Sequence, residues 1–121
     1  MDDRVHFLGH VPDEDLYAIY ARAHTFCFPS FAEGFGLPPL EAMKAGIPSI
    51  VSDRTALPEV CGDAAIYIDP DSALDIAYKI NLLNNDEPYY ESMKERSLLH
   101  SKKFSWKSAA ENILNIISNT I

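Results

Sequence analysis

The sequence predicts an α/β fold in which a parallel sheet of about four strands is flanked by helices. Two observations support this fold class. Short apolar runs of β-prone residues recur between residues 5 and 68, and helical spacing of apolar residues fills the intervals and the C-terminal part. Strands that alternate with helices form a parallel sheet covered on both faces. The four predicted strands are residues 5–8, 25–28, 47–52 and 65–68.

The first elements have clear boundaries. Gly9 ends the first β-prone run, and Pro12 and Asp13 then begin a helix, with Asp13 as the expected N-cap. One face of this helix carries the apolar residues Leu16, Ile19, Tyr20 and Ala23. The strand at 25–28 is closed by Pro29 and Ser30, and a loop over 31–37 follows.

The middle of the chain continues the alternation. A short helix is predicted over 38–45, with Gly46 as its C-terminal stop. The strand at 47–52 tolerates Pro48 because this residue lies near its start. One helical turn over 56–60 leads to the strand at 65–68.

The C-terminal part is predicted to be helical. Ser72 caps one helix, and Pro88 lies in the first turn of another that ends near residue 104. Ser105 caps a final amphipathic helix, in which Trp106 is most simply a core residue. Its apolar face comprises Trp106, Ala109, Ala110, Ile113, Leu114, Ile116 and Ile117. No linker interrupts the pattern, so residues 1–121 are predicted to form one domain.

Composition excludes several classes of function. The 121 residues are 47% hydrophobic with a formal net charge of −8, so a basic nucleic-acid-binding surface is not expected. No apolar run is long enough for a transmembrane span, and residues 1–4 do not resemble a signal peptide. Cys27 lies in an apolar run and is predicted to be a buried free thiol. These features predict a cytoplasmic location.

The loop after the second predicted strand is the best candidate for a ligand site. Gly34 and Gly36 allow close approach of the backbone, and the amides of Gly36 and Leu37 can face an anion at a helix N-terminus. Ser30 can hydrogen-bond the loop or a phosphate. Each of the carboxylates of Glu33 and Glu41 can hold neighbouring hydroxyls of a sugar. Spacing alone fits an ordinary loop and a first-turn acid equally well.

A longer pattern distinguishes these interpretations. The segment EGFGLPPLE at residues 33–41 resembles the signature of the retaining glycosyltransferases of family 4, in which two Glu residues are separated by seven others. The match continues through EAMKAGIPSIVSD at 41–53 and LPEVCGDAAIYIDP at 57–70. It begins at FLGHV, residues 7–11, and ends with FSW at 104–106.

The resemblance implies a fold and a donor site. The chain would be part of the Rossmann-like C-terminal domain of a GT-B fold, which binds a UDP- or GDP-linked sugar. Glu33 would be the catalytic residue beside the donor sugar, and Glu41 would hold the ribose. Ser30, Gly34, Phe35, Gly36 and Leu37 would contact the donor. Such enzymes use no metal and no cofactor, and they transfer a hexose to a glycan or glycolipid acceptor. The full-length enzyme would be cytoplasmic or peripheral at the inner membrane.

The family pattern is only partly present. Two further strand–helix units with an Arg and a Lys for the diphosphate are absent, as is the N-terminal domain that binds the acceptor. We therefore expect no turnover by this chain alone. Because the absent strands would lie between 5–8 and 25–28, we expect either a homodimer through the exposed sheet edge or direct pairing of these two strands.

Two other functions compete with a donor-binding role. A GT-B-like nucleotide-sugar epimerase handles the diphosphate in the same way, although the spacing of the two Glu residues favours a transferase. A non-catalytic interaction or assembly module is the second alternative, and a failure to bind any nucleotide sugar would favour it.

Overall fold

The computed structural model describes residues 2–120 as a parallel sheet with helices on both faces, which confirms the α/β prediction. In chain order the elements are α1 (Asp13–Arg22), β1 (Phe26–Phe28), α2 (Leu37–Lys44), β2 (Ser49–Ser52), α3 (Leu57–Cys61), a 3-10 turn (Gly62–Ala64), β3 (Ala65–Ile68), α4 (Ala73–Asn85), α5 (Glu87–Ser101) and α6 (Trp106–Thr120). The strand order is β1-β2-β3, with both pairs parallel.

The central strand β2 divides the core into two layers. All its residues are buried, and successive side chains point to opposite faces of the sheet. Val51 faces α2 and α3, where it packs in one cluster with Met43 and Leu57. Ile50 faces α4 and α5, where it packs with Leu83 and Met93. Each helix layer therefore buries one face of the same short sheet.

The predicted strand at residues 5–8 does not form, so the sheet within residues 2–120 has three strands and not about four. Val5, Phe7 and Leu8 are 51%, 82% and 62% exposed. A β-prone run becomes a strand only when a neighbour accepts its hydrogen bonds, and this run pairs with none of the described strands. The expected pairing of 5–8 with β1 is thus wrong, and the homodimer stays a prediction.

The two serine N-caps predicted for the C-terminal helices are confirmed. The Ser72 hydroxyl accepts from the Asp75 amide at 3.1 Å, and Ser105 accepts from Ser108 at 3.0 Å. Asp13 is not an N-cap, because the extended residue Pro12 occupies that position and its carbonyl accepts from Leu16. Asp13 instead lies in the first turn, where a negative charge favours the helix dipole.

The last helix contradicts the expectation that Trp106 is a core residue. Trp106 is 91% exposed, and α6 has no buried residue. The amphipathic helix itself forms as predicted, over Trp106–Thr120. Its apolar face is bare because no described element lies over it.

The two cysteines differ in environment. Both are free, but Cys27 is exposed and Cys61 is buried, so the prediction of a buried Cys27 is wrong. Cys27 is paired in register with Ile50, on the face covered by α4 and α5. The strand β1 lies at the edge of the sheet, and its Cys27 side chain is exposed there.

Candidate functional site

Three loops meet at the carboxyl edge of the sheet. They follow β1, β2 and β3, and because the strands are parallel they leave the sheet on the same side. The Glu33 amide of the first loop donates to the Thr55 hydroxyl of the second at 3.0 Å. The Arg54 guanidinium of the second loop reaches Asp69 and Asp71 of the third at 3.0 and 2.7 Å. The candidate site is built on this edge.

Gly36 has the conformation that lets the first loop enter α2. Its φ of 102° is left-handed, and a Cβ added there would lie 2.7 Å from Leu57 Cδ2. Neither condition suits a residue with a side chain. Gly34 differs, since a Cβ there would meet nothing within 4 Å. Gly36 is therefore required by the fold, whereas Gly34 leaves open space above the loop.

The start of α2 offers unpaired donors. Within residues 2–120, the amides at 34–37 donate to no backbone or side-chain acceptor. Pro38 and Pro39 follow without N–H groups, and the first turn contains no acidic residue. Phe35 and Leu37 are 46% and 58% exposed, and the Phe35 ring lies edge-on to Phe104 at 6.2 Å. Gly34, Phe35 and Leu37 are exposed, so an anion could approach this part of the loop from solvent and be favoured by the helix dipole.

The Glu33 side chain is held within its own loop. Its carboxylate oxygen Oε1 accepts from the Ser30 hydroxyl at 2.7 Å, a short distance typical of a charge-assisted bond. The same hydroxyl lies 3.2 Å from the Ala32 carbonyl. Glu33 is half-buried. The sequence predicted that Ser30 could bond the loop or a phosphate, and in the structure its hydroxyl donates to the Glu33 carboxylate and so orients it.

Glu41 lies apart from Glu33, in the second turn of α2. It is exposed, and no hydrogen bond within the described chain joins it to Glu33. Burial raises the pKa of Tyr20 in α1, and the neighbouring Glu41 carboxylate raises it further. Tyr20 is therefore a protonated neighbour of Glu41 that the sequence alone did not identify as part of the site.

Arg54 and Thr55 were not predicted as site residues. Arg54 lies over the Phe31 ring at 5.9 Å, besides its contacts with Asp69 and Asp71. Hydrogen bonding to Asp71 and the nearby acidic charges raise the pKa of Arg54. The only signal in the sequence was their position directly after a strand that ends on the functional edge.

Two further observations concern ligands and membranes. Across residues 2–120, no group of three or more His, Cys, Asp or Glu side chains is arranged to hold a metal ion. Over the same residues, no helix combines the length and apolar character of a membrane span. The cytoplasmic location stays a prediction.

Comparisons with known proteins agree on one family. The family model described as "Glycosyl transferases group 1" matches residues 1–100. The O-antigen chain mannosyltransferase B of Escherichia coli is 45% identical over 111 residues, which are 92% of this chain and 29% of that protein. A D-inositol 3-phosphate glycosyltransferase of Corynebacterium aurimucosum is 34% identical over 119 residues, 97% of this chain and 28% of that protein.

A solved structure shows the same fold. Sucrose-phosphate synthase from Thermosynechococcus elongatus superimposes with a TM-score of 0.84 at 26% identity. The match covers 98% of this chain and 30% of that one. The present chain therefore spans less than a third of the length of each of these three proteins.

Proposed function

This chain belongs to the group 1 glycosyl transferases, and from that premise we propose that it forms the donor-binding part of a retaining, metal-independent hexosyltransferase. The donor is a nucleotide-diphosphate sugar, and residues 1–121 are a portion of the C-terminal domain of a GT-B enzyme. Relatives named as mannosyltransferases favour mannose as the transferred sugar. The acceptor is a growing glycan or a glycolipid.

The observation that carries this proposal is the pairing of free amides with an oriented carboxylate. The amides at 34–37 have no acceptor within residues 2–120, and the carboxylate of Glu33, the residue directly before them, is fixed by Ser30. A diphosphate on the amides would place the attached sugar toward Glu33. The amides and the dipole of α2 then stabilise the negative charge of the departing diphosphate.

The remaining residues of the proposed site contact different parts of the nucleotide sugar. Glu41 is exposed in the second turn of α2, where its two oxygens can accept from the ribose hydroxyls. The backbone of Gly34, Phe35 and Leu37 borders the sugar and the diphosphate. Gly36 sets the turn from which the donors project.

Turnover requires more of the enzyme than this chain. The relatives are more than three times as long. In this proposal the acceptor site and the basic residues for the diphosphate lie outside residues 1–121. Arg54 does not supply this positive charge freely, because Asp69 and Asp71 already engage it. We therefore expect weak donor binding and no sugar transfer by residues 1–121 alone.

Donor binding can be tested by NMR titration. UDP-, GDP- and ADP-linked mannose are added separately while amide shifts are followed. One of them should move the resonances at 34–37, and Glu41→Ala should abolish the response. Glu14→Ala, which removes an exposed acid on α1, is the matched control and should leave the response intact. No response to any of the three at millimolar concentration would refute the proposal.

A further inference from the structure

Thr55 has an unusual backbone for its residue type. Its φ is +54°, and within residues 2–120 it is the one non-glycine residue with a positive φ. A β-branched residue in this region is strained. The side chain is exposed, so apolar packing does not offset the strain. The strained backbone is instead explained by a hydrogen bond that the Thr55 side chain makes in this conformation.

That contact reaches the proposed catalytic loop. The Thr55 hydroxyl accepts the backbone N–H of Glu33 at 3.0 Å, across 22 residues of sequence. Glu33 is thereby held twice, through its amide by Thr55 and through its carboxylate by Ser30. The two bonds fix both ends of the residue that faces the sugar in the proposed function.

The turn that carries Thr55 is itself anchored. The Arg54 amide donates to the buried Ser52 hydroxyl at 3.2 Å, and the Arg54 guanidinium binds Asp69 and Asp71. The same guanidinium lies over Phe31, which precedes Glu33 in the first loop. Thr55 therefore projects from a turn fixed to β2, to the loop after β3 and to the first loop.

We propose that Thr55 is a positioning residue, whose hydroxyl sets the Glu33 backbone so that its carboxylate meets the sugar of the donor. This inference rests on the proposed function and adds to it. Because the bond ends at Glu33 and not at the amides of 34–37, its loss affects contacts with the sugar more than contacts with the diphosphate. A purely structural role would weaken both contacts together.

The test compares two substitutions that differ by the hydroxyl. Thr55→Val keeps the shape and removes the acceptor, whereas Thr55→Ser keeps the acceptor. The measurements are the Glu33 amide proton shift in the free protein, and the affinities for the nucleoside diphosphate and for its mannose conjugate. Thr55→Val should move the Glu33 proton upfield and weaken the conjugate about three- to tenfold, the value of one hydrogen bond. The free diphosphate should bind unchanged, and Thr55→Ser should behave like the wild type.

Thr55→Gly provides a second test that remains valid if the valine variant does not fold. Glycine adopts a positive φ without strain and also lacks the hydroxyl, so it should show the same selective loss. Equal weakening of both ligands, an unmoved Glu33 resonance, or no loss for the conjugate would each overturn the inference. If the wild type binds neither ligand, the proposed function fails, and the role toward the sugar fails with it. The Glu33 shift would still report separately whether the hydrogen bond exists.

Discussion

The helices α4 and α6 are built on the same sequence pattern but have different surroundings. Both present apolar residues at helical spacing, and both begin after a serine cap. In α4, Leu83 is 1% exposed and packs with Ile50 of the sheet. In α6, the least exposed of the large aliphatic residues, Ile117, is still 48% exposed. Amphipathicity thus shows that a helix has an apolar face, but not what covers that face.

The difference predicts where stability resides. Burial of a large aliphatic side chain contributes roughly 1.5–3 kcal/mol relative to leaving it exposed. The buried residues of the two clusters on the sheet lie between Leu40 and Met93, so unfolding of that region should dominate the transition. The helix α6 adds little to this cooperative unit because it buries no residue.

The largest difference in the free energy of unfolding is expected between alanine substitutions at two isoleucines, one buried and one exposed. Ile50→Ala leaves a cavity in the centre of the sheet and should lower the free energy of unfolding by about 2–5 kcal/mol. Ile116→Ala makes the same chemical change on the exposed face of α6 and should alter it by less than about 0.5 kcal/mol. Urea unfolding followed by circular dichroism measures both. Comparable losses would show that α6 is covered in solution.

A second contrast compares two glycines of the candidate site. Gly36→Ala combines a positive φ with a clash against Leu57 and should lower the free energy of unfolding by about 1–3 kcal/mol. Gly34→Ala meets no atom within 4 Å, so it should be nearly neutral. Urea unfolding followed by circular dichroism measures the effect of both substitutions. An equal effect at both positions would mean that loop entropy, and not contact with α3, governs the change.

The two cysteines test burial across the sheet. At pH 8, iodoacetamide should label the exposed Cys27 well before the buried Cys61, and in urea both should react at similar rates. Burial raises the pKa of the Cys61 thiol from 9.0 to about 11. The fold therefore favours the neutral thiol, and this contribution to stability is complete below about pH 9 and is lost as the pH rises toward 11.

The matched control for this pH dependence is Cys61→Ala. Its stability should fall less than that of the wild type over the same pH interval. Burial also raises the pKa of Tyr67 to about 12, so part of the alkaline loss should persist in the variant. Rapid labelling of Cys61 under native conditions would contradict its burial.

The smallest expected effect concerns Trp106, the chain's single tryptophan. Because its side chain is 91% exposed, its emission maximum should already be that of an indole in water and should barely shift on unfolding. Circular dichroism on the same samples shows that unfolding has occurred. A blue-shifted native maximum would reveal a partner or a second copy over α6.

Local chemistry let the sequence predict most elements. The strand at residues 65–68 and the helices capped by Ser72 and Ser105 lie where they were expected, because the interactions that define them span only a few residues. The loop of the candidate site was recognised from a contiguous motif, which is local in the same sense. The bond between Ser30 and Glu33 also joins residues only three apart, although the sequence did not single out this pair.

Only the tertiary structure decided the features that depend on distant neighbours. Residues 5–8 are β-prone but pair with none of the described strands, Cys27 lies on an edge, and Trp106 projects into solvent. The bond between Thr55 and Glu33 joins residues 22 apart and follows from the parallel order of β1 and β2. The sequence alone thus determined the α/β elements and the loop motif, since these depend on adjacent residues. Which faces are covered, and which turn holds Glu33, depends on packing between segments far apart in the chain.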